Sequence, residues 1–92
     1  MRALLVDDSR AVRKVLSRII AGLGYEISEA GNGQEALDLI KSKGAFDLAL
    51  VDINMPVMNG LDFVKAARAD EDNAEMMIMM VTSESEGTTV AR

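Results

Sequence analysis

Short apolar runs alternate along the chain with segments in which apolar residues recur every three or four positions. The runs at 3–6 and 47–51 are almost continuous, which is typical of strands buried on both faces, and the apolar run at 76–81 also predicts a strand. The run at 25–30 is short and alternates polar with apolar residues, which is typical of an edge strand with one solvent-exposed face. This pattern predicts four strands.

Three further segments predict amphipathic helices. The second of them begins at a cap residue, Asn32, and ends at Gly44. The third covers 61–69 and follows a turn in which Asn59 and Gly60 are expected to permit positive φ. The first helix carries an apolar stripe with helical spacing, made of Val12, Val15, Leu16, Ile19, Ile20 and Leu23.

Strands that alternate with helices at this spacing imply right-handed crossovers and a parallel sheet. We therefore predict the α/β class, with an open, doubly wound sheet built from three complete strand–helix units and a fourth strand. Ninety-two residues suffice for one small domain. Residues 1–92 are accordingly expected to form a single domain, with no internal repeat or linker.

Composition narrows the chemistry that such a domain can perform. The chain has no cysteine and no histidine, so a bound metal needs oxygen ligands, which favours Mg²⁺ or Ca²⁺. Its net charge of −5 argues against binding nucleic acid through a broadly basic surface. Because no apolar run reaches the length of a membrane span and the start lacks the layout of a signal peptide, we expect a cytoplasmic protein.

Two of the predicted buried strands end on carboxylates. Asp7 and Asp8 follow the first strand, and Asp52 ends the third. If these strands are neighbours, the three acids converge at one crevice, where they raise one another's pKa or require a cation. Oxygen-bound Mg²⁺ is the simplest solution. The alternative is that Asp7 or Asp8 only caps the first helix and that Asp52 begins a turn.

The acids are part of a wider set of motifs. Together with "DINMPVMNG" from Asp52 and "VTSE" from Val81, they make the chain resemble the receiver domain of bacterial two-component response regulators, most closely the single-domain, chemotaxis CheY-like type. The resemblance covers the whole chain and implies a flavodoxin-like sheet with strand order 2-1-3-4. The family's fold has five strands, so we expect an incomplete receiver domain that lacks strand 5 and helix 5. The lysine that ends strand 5 would be absent with them.

The resemblance also implies a role for each site residue. Asp52 would accept a phosphoryl group from a phosphohistidine on a sensor kinase. Asp8 and Asp52 would bind Mg²⁺ directly, Asp7 would act through a water molecule, and Asn54 would supply its backbone carbonyl. Thr82 would donate a hydrogen bond to the phosphoryl oxygens and switch the binding of an output partner.

Two other functions stay open at this point. An aspartyl-nucleophile phosphohydrolase also places an aspartate at a strand end beside Mg²⁺, but that class carries a second acid two residues later, where this chain has Asn54. The second alternative is a structural fragment or assembly piece whose site is vestigial. We expect a phosphoacceptor signalling module rather than an enzyme.

Two surface features bear on partners. The basic residues of the first helix would help to dock the phosphodonor domain, as the resemblance implies, or form a solvated face; they are Arg10, Arg13, Lys14 and Arg18. The methionines at 76–80 are interpreted as core filling rather than as a partner-binding patch. Because the fourth strand is expected to be an apolar edge, we also predict a homodimer or a swapped assembly through that edge.

Overall fold

The structure, a computed structural model, describes residues 1–44, 46–53, 55 and 57–81. Its elements are β1 (Arg2–Val6), α1 (Arg10–Ala21), β2 (Glu26–Ala30), α2 (Gly33–Lys43), β3 (Leu48–Asp52), α3 (Gly60–Arg68), a 3-10 turn (Glu71–Asn73) and β4 (Met77–Val81). Each strand bound lies within one residue of the predicted one, whereas the 3-10 turn was not predicted. Within this part of the chain, no helix combines the length and the apolar character needed to cross a membrane.

All four strands are parallel and lie in the order β2-β1-β3-β4, which confirms the predicted doubly wound sheet and its strand order. The chain leaves β1 for β2 on one side and then crosses back to β3 on the other. The strand order therefore reverses between β1 and β3, the place where open α/β sheets form their ligand sites. In this pair Val6 lies opposite Val51, so both strands end at the same level.

The two central strands supply the deepest part of the core. Four successive residues of β1, from Ala3 to Val6, are completely buried, and every residue of β3 is buried as well. One face of the sheet packs against α2 and α3, which add Ile40 and Phe63 to the core. Burying an aliphatic or aromatic side chain of this kind contributes roughly 1.5–3 kcal/mol. The apolar runs at 3–6 and 47–51 therefore become strands buried on both faces, as predicted.

The other face of the sheet is covered less completely. Here α1 packs on β1 and β2, and Ile20 is buried. Three members of the predicted apolar stripe nevertheless remain exposed, since Val15, Ile19 and Leu23 show 58%, 56% and 70% of their surface. The helical periodicity was correct, but only part of the stripe belongs to the core.

The methionines of β4 lie mostly at the surface. Met77, Met79 and Met80 are 62%, 50% and 37% exposed, whereas Met76, just before the strand, is buried. The interpretation of this run as core filling is therefore wrong for three of its members. The physical reason is that β4 is an edge strand, and the described residues place only β3 beside it. We call Val15, Ile19, Leu23, Met77 and Met79, which share one side of the sheet, the open apolar face.

The turn between β3 and α3 brings two backbone segments into very close approach at Gly60. Its N–H donates to the carbonyl of Ile53 at 3.0 Å, and a Cβ atom at this position would lie 2.2 Å from the carbonyl oxygen of Asp52. The expectation of positive φ at positions 59 and 60 is wrong. Asn59 caps α3 with a φ of −73°, and among the described residues of this turn the one with positive φ is Val57. Gly60 is needed for space rather than for its conformation.

We expect Gly60→Ala to lower the free energy of unfolding by about 1–3 kcal/mol, because the added methyl group must displace backbone atoms of Asp52. Gly22→Ala is the matched control, since a Cβ there has no neighbour closer than 3.4 Å and the residue is already in a helical conformation. That variant should be neutral or slightly stabilising. Urea unfolding of the three proteins checks this, and equal stability of the two variants would contradict it.

Candidate functional site

The carboxyl ends of β1 and β3 bring three carboxylates together. Asp7 and Asp8 directly follow β1, and Asp52 is the last residue of β3. One carboxylate oxygen from each lies within 4.8 Å of the other two. The strand register explains this, because Val6 and Val51 lie side by side and the acids come immediately after them. Three of the predicted site residues thus lie together at the carboxyl ends of β1 and β3.

The other two predicted site residues, Asn54 and Thr82, lie outside the described residues. The role of the Asn54 carbonyl and the role of Thr82 both stay predictions. Thr82 follows Val81, which pairs with Asp52 across β3 and β4.

The turn between β1 and α1 shows that the acids do not serve as helix caps. The cap of α1 is Ser9, whose Oγ accepts a hydrogen bond from the Val12 N–H at 3.2 Å. Asp7 Oδ1 accepts a bond from the Ser9 N–H at 2.8 Å, which holds its carboxylate in the turn. The alternative in which Asp7 or Asp8 caps the first helix is therefore excluded. The role of Ser9 was missed because Asp7, Asp8 and Ser9 are all good caps.

The three carboxylates differ in their contact with solvent. Asp7 and Asp52 are each only 2% exposed, whereas Asp8 is exposed. Burial raises the pKa of Asp7 above its ordinary value of 3.8. The hydrogen bond from Ser9 opposes this rise in the pKa, the negative charge of Asp8 adds to it, and the Arg13 guanidinium opposes it. The fold thus holds a carboxyl group where its ionised form is disfavoured.

The turn that follows Asp52 is strained at one residue. Val57 has a φ of 68° and is 82% exposed. A β-branched residue rarely adopts this conformation, which costs about 1–2 kcal/mol. The neighbouring Met58 carbonyl accepts a hydrogen bond from the Gly33 N–H at 3.3 Å, which ties the turn to the start of α2. Strain of this kind is often found beside functional sites, and nothing in the residue pattern indicated it.

The carboxylate cluster has the properties of a site for a hard divalent cation. All its donors are carboxylate oxygens, two of the three residues are buried, and their charges have the same sign. Oxygen-only sets of this kind suit Mg²⁺ and Ca²⁺. A cation bound here would favour the ionised form of Asp7 and so oppose the rise in its pKa that burial causes. Within the described residues, this is the group of acids close enough together to hold a metal ion.

Comparison with known proteins establishes the class of this chain. The sequence model of the response regulator receiver domain family matches residues 3–92. The chain therefore belongs to this family, the receiver domains of two-component signalling, and the resemblance seen in its motifs is confirmed.

Chemotaxis proteins are among the curated proteins to which this chain is similar. The chain is 41% identical over 85 residues to chemotaxis protein CheY1 of Helicobacter pylori strain J99, an alignment that covers 91% of this chain and 68% of that protein. It is 38% identical over 86 residues to chemotaxis protein CheY-3 of Vibrio cholerae, which covers 92% of this chain and 65% of the relative. The chain thus spans about two thirds of the length of these relatives.

Solved structures of response regulators share the fold. Chemotaxis protein CheY4 of Vibrio cholerae superposes with a TM-score of 0.83 at 37% identity, over 98% of this chain and 74% of that one. The response regulator TrrA of Thermotoga maritima, solved in complex with Mg²⁺ and BeF, gives a TM-score of 0.80 at 35% identity, over 96% and 74%. These likenesses confirm a CheY-like fold that has four strands in the described part of the chain.

We expect Asp7→Asn to stabilise the protein at neutral pH when divalent cations are removed. The folded-state pKa of Asp7 is raised, so its ionised form opposes folding at every pH above that raised pKa. Asparagine removes the charge but keeps an oxygen that can accept the Ser9 N–H.

The pH dependence provides the check. The advantage of the Asn variant should shrink as the pH falls through the raised pKa, and it should vanish below 3.8, where Asp7 is neutral in both states. Thermal unfolding of both proteins in a chelator, over the acid and neutral range, measures this difference. An Asn variant less stable than wild type at neutral pH, or a gain independent of pH, would contradict the assignment.

Proposed function

We propose that this chain is a phosphoacceptor domain, in which Asp52 accepts a phosphoryl group from the phosphohistidine of a sensor histidine kinase or its phosphodonor domain. The reaction depends on Mg²⁺, and it switches the binding of an output partner. The observation that carries the proposal is the convergence of three carboxylates within 4.8 Å, at the strand ends of a chain that belongs to the receiver family.

Asp52 suits the role of nucleophile. It ends the central strand β3, is 2% exposed, and its backbone is restrained by the close approach of Gly60. A carboxylate oxygen of Asp52 forms the new bond to phosphorus while the bond from phosphorus to the imidazole nitrogen breaks. That nitrogen keeps the electron pair and takes up a proton. Since the transition state is loose, the protein contributes mainly by positioning and by neutralising charge.

When bound, Mg²⁺ would neutralise the phosphoryl oxygens and allow them to approach the acidic cluster. Asp8 and Asp52 are the proposed direct ligands, together with the backbone carbonyl of Asn54. Asp7 would act through a water molecule, which agrees with the commitment of its Oδ1 to the Ser9 N–H. The relative TrrA, solved in complex with Mg²⁺ and BeF, supports this choice of cation.

Thr82 is the proposed switch residue. It directly follows Val81, whose partner in the sheet is Asp52. Its hydroxyl would donate a hydrogen bond to the phosphoryl oxygens and so report the modification. We propose a cytoplasmic module that is itself modified, rather than an enzyme with steady-state turnover.

The phosphodonor domain is proposed to dock on the exposed side of α1. Arg10, Lys14 and Arg18 are exposed and basic there, and they suit an acidic partner surface. Arg13 does not belong to this solvated set, because it is largely buried and paired with Glu29.

We expect Asp52→Asn to weaken Mg²⁺ binding by roughly tenfold or more, since changes outside the ligand sphere alone can have that effect. Asp38→Asn makes the same chemical change at an exposed position on α2 and should bind Mg²⁺ as wild type does. Calorimetric titration measures both affinities. With acetyl phosphate, intact-mass analysis should show a labile adduct that disappears in Asp52→Asn and persists in Asp38→Asn. Equal Mg²⁺ affinity in all three proteins would favour a vestigial site instead.

We further propose that the 92-residue chain forms a homodimer or a swapped assembly through the strand 4 edge and the open apolar face. Five apolar side chains on one side of the sheet are half or more exposed there, and burying such area contributes about 25 cal/mol per Å². Exposed apolar side chains that share one side of a sheet are candidates for such burial against a partner.

Sedimentation equilibrium over a dilution series tests the self-association. Ile19→Glu should shift the protein towards monomer, because it places a charge within the open apolar face. Leu61→Glu is the matched control, since Leu61 is also 56% exposed but lies on α3. A compact wild-type monomer at micromolar concentration, or equal effects of the two substitutions, would contradict the proposal.

A further inference from the structure

The side chain of Arg13 joins three elements at the carboxyl edge of the sheet. Its Nε pairs with Glu29 Oε1 on β2 at 3.0 Å, and its Nη1 donates to the backbone carbonyl of Asp7. The side chain starts on α1 and is only 15% exposed, whereas Glu29 is 42% exposed. This guanidinium therefore forms a fork, with one branch anchored on β2 and the other on the turn that carries two of the acids.

The carbonyl that Arg13 holds belongs to the peptide between Asp7 and Asp8. A peptide unit is planar, so holding its oxygen restricts the rotation of the whole plane. The N–H of Asp7 also donates to the carbonyl of Ala30 at 3.1 Å. Asp7 is thereby tied to β2 through its own N–H and to α1 through its carbonyl. The direction in which the Asp8 side chain leaves the backbone depends on that same plane.

The pairing with Glu29 limits an electrostatic cost. An unpaired guanidinium near the acids would repel a divalent cation, and the repulsion would be strong in a partly buried setting. The carboxylate 3.0 Å from Nε offsets that positive charge. The guanidinium therefore donates its hydrogen bonds at the site, while the nearby Glu29 carboxylate reduces its repulsion of a cation. A lysine has a single nitrogen and cannot form this fork.

We propose that Arg13 is a positioning residue for the divalent-cation site, and that its fork, anchored on Glu29, fixes the peptide between Asp7 and Asp8 before the cation arrives. The inference rests on the proposed function in one respect, namely that the carboxylate cluster binds Mg²⁺. Arg13 touches neither cation nor substrate; it acts through the backbone that carries two of the ligands.

The key variant is the double substitution Arg13→Met with Glu29→Gln. It removes one positive and one negative charge, so the net charge near the site is unchanged, while the donors of the fork are lost. Mg²⁺ affinity should fall roughly tenfold, as it does when groups that orient metal ligands are removed. In the cation-free protein, the ¹³C shift of the Asp7 carbonyl should change as well, because that oxygen loses its donor.

Two further variants separate the possible causes. Arg13→Lys keeps the charge but lacks the fork, and it should lose several-fold in Mg²⁺ affinity. Lys43→Gln with Glu26→Gln also removes one positive and one negative charge, but at the amino ends of the strands, where both residues are exposed. This variant should bind Mg²⁺ as wild type does. Ile40→Val loosens the core beneath α2, and it should leave Mg²⁺ affinity unchanged if general destabilisation has no part in the effect.

The outcomes distinguish this inference from the proposed function. Wild-type affinity in the double variant, or wild-type affinity in Arg13→Lys, would overturn the positioning role while leaving the Mg²⁺ site intact. A similar loss in Ile40→Val would also overturn it, because the effect would then be one of stability. Failure of the wild-type protein itself to bind Mg²⁺ would overturn both proposals.

Discussion

The pairing of β1 with β3 is the constraint on which the rest of the structure depends. Both strands are buried on both faces, so they must occupy the middle of the sheet, and the register that sets Val6 beside Val51 makes them end at one level. The acids that follow then have no alternative to sharing one crevice. Burial in that crevice is the main cause of the raised pKa of Asp7, and the charge of Asp8 adds to it. The buried carboxylate lowers the stability of the fold, and burial of the apolar core offsets this loss.

Several contacts to the backbone restrain the segments that carry the carboxylates. Ser9 caps α1, so Asp7 and Asp8 are not needed as helix caps. The Ser9 N–H also donates a hydrogen bond to Oδ1 of Asp7 and fixes that oxygen. Gly60 lets the start of α3 lie against the carbonyl of Asp52. Arg13 restrains the peptide between the first two acids. Each contact acts on a segment directly attached to a carboxylate, which is how a small domain can orient charged groups with few residues.

The strands, the helices and the acids at the strand ends were predictable, because burial periodicity and residue type are local signals. The strand order came from the resemblance to receiver domains, and the convergence of Asp7, Asp8 and Asp52 follows from that order. Features that depend on the tertiary contacts of an element could not be predicted from the sequence. Helical spacing marks Ile19 as apolar but does not say whether anything covers it. The need for Gly60 follows from a close approach visible only in three dimensions, and a basic residue on a helix, such as Arg13, gives no sign in sequence that it is paired and largely buried.

The positions of these residues in the sheet suggest that cation binding and switching depend on different parts of the fold. The three acids follow the two central strands, which are enclosed by neighbouring strands and by the core on the side of α2 and α3. β4, whose last residue Val81 precedes the proposed switch residue, forms the edge and carries exposed methionines. Local stability follows burial and contact density. The carboxylate cluster therefore lies in the better-packed part of the sheet, whereas the proposed switch residue follows a strand whose side chains are largely exposed.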